Sequence, residues 1–272
     1  MNQAWIGQIR GILRLELRKN LFSLRALPMY LLASLPVLVV TIFIITTSAV
    51  GIPNEVQGPS GAALFFAGLY QIAMGAVIYI GSVWLFMNLF RGEVLDRSLH
   101  YYFLAPIRRE VLVAGKYISA WTTAVLLFAG GTAICFIAIY WYLGGAGVGG
   151  VLRGTSLAHL LGYLGMTALA CLGYGAIFLL VGLFFRNPIV PALVILIWEL
   201  ANPFLPTLLK KFSVIFYLQS LVPVPLNQGP FAIIAEPVSA WLAVPGLLLF
   251  TALTLVAAGW RTRRMEISYA ND

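Results

Sequence analysis

Residues 117–143 read YISAWTTAVLLFAGGTAICFIAIYWYL and contain no charged side chain. Crossing the hydrocarbon of a bilayer as an α-helix takes roughly 20 apolar residues, so this stretch is long enough to span a membrane. Hydrophobic residues make up 61% of the 272-residue chain and charged residues 10%, whereas soluble domains carry about 25% charged residues. The sequence therefore predicts an all-α, polytopic membrane protein. A membrane β-barrel would show short alternating segments instead.

Six apolar stretches are predicted to be transmembrane helices, with approximate limits at 28–50, 61–90, 117–143, 159–185, 189–209 and 238–260. Residues 212–237 begin as an apolar run and are then interrupted by prolines. The unbroken part is too short to span, which predicts a re-entrant or interfacial segment before the last helix. The chain is predicted to be one transmembrane domain, 1–272, with an N-terminal helix at 1–25, a six-helix bundle at 26–260 and a tail at 261–272.

The N-terminal segment, 1–25, shows helical periodicity in two stripes. One stripe is apolar and the other is basic; their members are Ile6, Ile9, Leu13 and Leu17, and Arg10, Arg14 and Arg18. A basic amphipathic helix is typical of the membrane interface, where its cations reach the lipid headgroups. A set of charges that only orients the first span is the alternative.

The distribution of cations predicts the orientation. With six spans, fourteen of the seventeen Lys and Arg residues lie on one side: five in 1–25, five in 91–116, Arg186, and three in 261–272. The positive-inside rule then places both termini and residues 91–116 in the cytoplasm, as expected for a multi-pass protein of a bacterial cytoplasmic membrane. The net charge of +8 is thus explained by topology and anionic lipid, and we expect no nucleic-acid partner.

Residues 91–116, the charged segment, read RGEVLDRSLHYYFLAPIRREVLVAGK. Pro106 disfavours helix at the preceding residue, which predicts two short helices at 93–102 and 107–116. Mixed charge with aromatic residues favours docking of a protein, whereas a lipid-binding patch would be more uniformly basic. A solvated loop is the alternative. The candidate docking residues are Glu93, Asp96, Arg97, His100, Tyr101, Arg108, Arg109 and Glu110.

The sequence offers little support for an enzyme. The GxGxxG pattern at 145–150 follows a predicted span, and Gly115-Lys116 lacks the other residues of a phosphate-binding loop. His100 and His159 are far apart, and no metal-binding or nucleophile motif is present. We therefore expect no catalytic, cofactor or metal site in this chain. Cys135 and Cys171 lie in apolar runs and are predicted to be core residues.

Glu199 is the one acid deep within a predicted span, and an intramembrane acid is expensive and often functional. It could line a pathway, carry a proton or pair with a cation. Alternatively, because Pro203 and Pro206 break the helix just beyond it, Glu199 satisfies loosened backbone or a partner helix. The fourth predicted span is rich in small residues, which indicates close helix packing.

The pattern resembles the permease subunits of type-two ABC exporters. The resemblance rests on the basic N-terminal helix, the six spans, the segment before the last span, and above all the charged segment. Within that segment the matching residues are Glu93, Leu99, Leu104-Ala105-Pro106, Arg108-Arg109-Glu110 and Gly115-Lys116. In that family this region is the coupling helix, which sits in a cleft of a separate ATP-binding subunit.

The resemblance implies that ATP and magnesium bind to a partner ATPase subunit and that one six-span chain is half a transporter. A second copy, or a similar permease, would complete it, surrounded by membrane lipid. The resemblance also implies an exporter. Two alternatives from other classes stay open: a proton-coupled secondary transporter that uses Glu199, and an intramembrane enzyme. Paired broken helices or an inverted repeat would favour the secondary transporter.

Overall fold

The computed structural model describes residues 2–23, 26–51, 57–95, 109–145, 151–185, 187, 189–226 and 239–263. Every regular element within these ranges is helical. The α-helices are α1 (Asn2–Phe22), α2 (Leu27–Val50), α3 (Gly58–Leu69), α4 (Gly75–Leu95), α5 (Arg109–Gly144), α6 (Gly154–Phe184), α7 (Ile189–Ala201), α8 (Thr207–Lys210), α9 (Val214–Gln219) and α10 (Ala240–Arg263).

Five helical stretches are long and apolar enough to cross a membrane: Leu27–Val50, Gly58–Phe90, Val111–Gly144, Gly154–Phe184 and Ala240–Arg263. They coincide with five of the six predicted spans, so the all-α class is confirmed for the described residues, and the five helices are compatible with a multi-pass membrane protein. The second stretch combines α3 and α4 through a π-helical turn at Tyr70–Met74. Such turns insert one extra residue into the helix and displace the side chains that follow.

The remaining predicted span, 189–209, is shorter in the structure. Helix α7 ends at Ala201, and a single 3₁₀ turn covers Asn202–Phe204. Pro203 and Pro206 cannot donate the backbone bonds that would continue the helix. The apolar helix Ile189–Phe204 reaches about 24 Å at 1.5 Å per residue, against a hydrocarbon thickness of about 30 Å. The count of six spans therefore stays a prediction.

The predicted re-entrant segment, 212–237, is described as far as residue 226. Its regular element is the short helix α9, which buries Val214, Phe216 and Leu218 against α6 and α10. Pro223 also lies close to α6, because a Cβ added at Gly162 would meet its ring at 2.6 Å. A six-residue helix cannot cross a bilayer, as predicted for this part of the segment.

Helix α6 is the centre of the bundle and packs against α4, α5 and α10. Its small residues provide the close approach that the sequence predicts. A Cβ at Gly175 would stand 2.5 Å from the ring of Phe86, and one at Gly173 would stand 3.0 Å from Leu247. The prediction for these positions is confirmed. Gly165 differs, since nothing lies within 4 Å of its would-be Cβ.

Helix α1 packs along α5, which gives its apolar stripe a protein partner. Leu13 and Leu17 are half-buried, whereas Arg14 and Arg18 are exposed. Leu15 and Phe22 are also exposed on the outer face, at 69% and 83%. The predicted helix is confirmed, and part of its apolar stripe is covered by another helix.

Candidate functional site

The charged segment is only partly within the described residues. Arg91–Leu95, with Glu93, continue α4, and Arg109–Lys116, with Glu110, are the first residues of α5. For Glu93, Arg109 and Glu110 the description covers the backbone. The candidate docking residues Asp96, Arg97, His100, Tyr101 and Arg108 lie outside the described residues. The predicted second helix, 107–116, agrees with the observed start of α5 at Arg109.

The helices that flank 96–108 lead directly into the bundle. Helix α5 is 36 residues long, or about 54 Å at 1.5 Å per residue, which exceeds the hydrocarbon thickness of about 30 Å. Helix α4 runs to Leu95 and joins α3 through the π-helical turn. Residues 96–108 therefore connect two helices that are long and apolar enough to cross a membrane.

The sequence places Lys116 at the end of the predicted helix 107–116, within the charged segment assigned to the cytoplasm. It is completely buried, and its ammonium lies 2.7 Å from Glu16 Oε1 on α1. Glu16 is itself only 3% exposed. A charged pair is stable at such depth only when the partners are close and further bonded, because removing ions from water is costly. Lys116 is thus part of the helix packing rather than an exposed charge of that segment.

The Lys116 ammonium also contacts α4. It lies 3.5 Å from the carbonyl oxygen of Leu89 and 5.6 Å from the centre of the Phe90 ring. The carbonyl accepts a hydrogen bond, and the ring face attracts a cation. Lys116 therefore joins α1, α4 and α5 at one point; we call this group of Glu16, Leu89, Phe90 and Lys116 the three-helix joint.

Glu199 lies in the last turn of α7, and its carboxylate accepts four hydrogen bonds. Oε2 receives the hydroxyl of Ser213 at 2.7 Å, the backbone N–H of Ile215 at 3.0 Å and the hydroxyl of Tyr174 at 3.2 Å. Oε1 receives the N–H of Val214 at 3.0 Å. The first N–H groups of a helix lack partners within it. Glu199 therefore caps α9 from another helix.

Tyr79 and Tyr174 complete the surroundings of Glu199. The Tyr79 hydroxyl donates to the Ala192 carbonyl at 2.7 Å, which ties α4 to α7. The two tyrosine rings meet edge to face, with centres 5.2 Å apart. Of the readings open for Glu199, this geometry favours the one in which it satisfies a partner helix, because its donors lie on α6 and at the start of α9. Both oxygens are occupied by donors, and a proton carrier would have to break these bonds in each cycle.

The chain matches no protein-family model, no curated protein and no solved structure. Its function is therefore argued from its own residues. Within the described ranges, no three His, Cys, Asp or Glu side chains come together in a group that could hold a metal ion. His159 lies 3.3 Å from the Tyr140 hydroxyl, with Nδ1 facing it. This contact joins α5 to α6 near the end of α5 and the start of α6.

Glu16 is the residue that the sequence analysis missed. It stands in a strongly basic helix, where an acid looks like an ordinary solvated charge. Its position carried a signal, because Glu16 falls three residues after Leu13 and next to Leu17, on the apolar stripe. An acid on the apolar face of a helix requires a buried partner. The sequence alone does not single out Lys116 among the cations that flank apolar spans.

Proposed function

We propose that this chain is the membrane-spanning permease subunit of an ATP-driven ABC exporter. In this proposal, residues 96–108 and the adjoining helix ends dock a separate ATP-binding subunit, which carries ATP and magnesium. One observation carries the proposal. Residues 96–108 connect the ends of α4 and α5, two helices of the bundle core. A docked subunit that moves this segment would act directly on the membrane helices.

The charge pattern supports a cytoplasmic docking segment. Lys116 on the proposed cytoplasmic side and Lys210 on the other side are both buried, and removing them leaves thirteen cations against two. The asymmetry that underlies the positive-inside rule therefore survives the correction. This count of cations on each side assumes that α7 crosses the membrane as a sixth span.

Helix α7 is short for a span, yet its surface suits lipid. Large apolar side chains on it are exposed, among them Leu193, Val194 and Ile197. A helix a few ångströms too short is accommodated by local thinning of the bilayer at modest cost. Cysteines at the exposed positions Asn187 and Lys211 test the crossing. Six spans predict labelling of Asn187→Cys from the cytoplasm and of Lys211→Cys from outside; labelling of both from one side would refute it.

A second copy of the chain is part of the proposal. Helix α2 exposes Leu31, Leu35, Leu38, Ile42 and Ile45, which are spaced alternately by four and three residues. This spacing forms the seam along which two helices pack. Disulfide trapping through Leu38→Cys should yield a covalent dimer, whereas Leu126→Cys on the exposed face of α5 serves as the control. Equal trapping at both positions would contradict a specific α2 interface.

Docking is tested by co-purification with a candidate ABC ATP-binding subunit. Tyr101→Glu and Arg109→Glu should abolish capture of the ATPase and its stimulation by the permease. Arg153→Glu, at an exposed position on the proposed outer side, is the matched charge-reversal control and should leave both unchanged. Undiminished capture with both docking variants would overturn the proposal.

A further inference from the structure

A fully buried lysine two helical turns from the start of α5 is unusual beside a stretch as rich in charged residues as 91–110. Replacing a buried ion pair by well-packed apolar residues is often neutral or stabilising, so such a pair is poor evidence for stability alone. The pair does, however, fix which points of the neighbouring helices lie against each other. Here Lys116 contacts Glu16 of α1 at 2.7 Å and the Leu89 carbonyl of α4 at 3.5 Å.

The position of the joint along the chain matters as much as its chemistry. Lys116 lies two turns into α5, and Leu89 and Phe90 lie about as far from the end of α4 at Leu95. Both helix ends that lead to 96–108 are thus joined to each other and to α1 at the same level, roughly 10 Å from the segment by helix rise. Displacement of either helix end would be transmitted through this point.

We infer that Glu16 and Lys116 are positioning residues. They hold α1, α4 and α5 together as one rigid unit at the helix ends that lead to residues 96–108. In this unit α1 follows α5 when the segment is moved. The holding role stands on the contacts alone. The claim that the unit transmits the movement of an ATPase rests on the proposed function.

The holding role is tested on the purified chain in lipid nanodiscs, without any partner. Spin labels go on Gly11→Cys, where nothing lies within 4 Å of the added Cβ, and on Leu126→Cys, which is 58% exposed on α5. The two native cysteines are buried. The joint predicts one narrow distance distribution in the parent protein. Glu16→Gln should widen the distance distribution at least twofold. Arg14→Gln, two residues away on the exposed side of the same helix, should leave its width unchanged.

Glu16→Gln removes the Glu16 carboxylate from a buried ammonium and can lower the yield of folded protein. The double variant Glu16→Met/Lys116→Met removes both charges and keeps the volume apolar. It should restore the yield but leave the distribution at least twice as wide as in the parent, because the directional contacts across the three helices are gone. A distribution as narrow as the parent's in either variant would overturn the holding role.

The transmitting role is tested with the ATPase bound. The double variant should capture the ATPase with affinity within twofold of the parent, yet stimulate its ATP hydrolysis at least tenfold less. A widened distribution with unchanged stimulation would refute transmission while the holding role stands. If no ATPase is captured by the parent itself, the proposed function fails, and the distance measurement still decides the holding role.

Discussion

Two buried carboxylates hold this bundle together by different means. Glu16 faces an ammonium, 2.7 Å away, beside the first turns of α5. Glu199 is bonded to two hydroxyls and two backbone N–H groups at the end of α7. A lysine ammonium is a point charge that accepts a partner from many directions, whereas consecutive N–H groups fix one orientation. The Glu199 contacts therefore specify a local backbone fold, and the Glu16 contact specifies which helices associate.

The largest effect is expected from Glu199→Ala. Four donors lose their acceptor together, and each buried donor left unsatisfied costs about 1–3 kcal/mol. We expect the free energy of unfolding in detergent to fall by about 4 kcal/mol or more. Hydrogen exchange should show loss of protection centred on α9 and the residues that precede it. Glu199→Gln, which retains one carbonyl acceptor, should lose roughly half as much. An alanine variant as stable as the parent would show that the Glu199 carboxylate does not stabilise the fold.

Glu16→Gln should come next, with a different pattern of damage. Removing one member of a buried ion pair costs about 3–5 kcal/mol, because the other charge stays buried. Exchange protection should be lost along α1, from about Leu13 to Asn20, while α9 keeps its protection. Protection lost at α9 as well would contradict the separation of the two sites. Arg18→Gln, at an exposed position on the same helix, is the control and should change stability by less than about 0.5 kcal/mol.

The two sites also differ in how far the sequence predicts them. Glu199 stands out because an acid within an apolar run has few explanations. Its exact role depends on Ser213 and Val214, which only the fold brings to it. Glu16 is hidden by the basic residues around it, and its partner is 100 residues away. The long spans were predictable from composition, since length and hydropathy decide them. Pro203 and Pro206 indicated a break beyond Glu199, but the predicted span was too long because the run stays apolar to residue 209.

A smaller effect is expected where α4 and α6 meet between the two sites. Gly175 follows Tyr174, which bonds Glu199, and its would-be Cβ stands 2.5 Å from Phe86, three residues before Leu89 of the joint. Gly175→Ala should destabilise the bundle by about 1–3 kcal/mol through overpacking. Gly165→Ala on the same helix meets nothing within 4 Å and should be neutral or slightly stabilising. Thermal unfolding of the Gly175→Ala and Gly165→Ala variants in the same detergent measures the difference in their stability.

The smallest effect is expected from Tyr174→Phe, which removes one of the four bonds to Glu199 and keeps the ring. The Tyr174 hydroxyl is the most distant donor, at 3.2 Å. Hydrogen bonds between membrane helices are worth about 0.6 kcal/mol on average, with a maximum of about 1.7. We expect a loss of about 1 kcal/mol in the parent. In a Glu199→Ala background the same change should cost nothing, or should even be stabilising, because it then removes a hydroxyl that has lost its acceptor. The double-mutant cycle measures this coupling, and equal losses in both backgrounds would show that Tyr174 acts through its packing against Tyr79 instead.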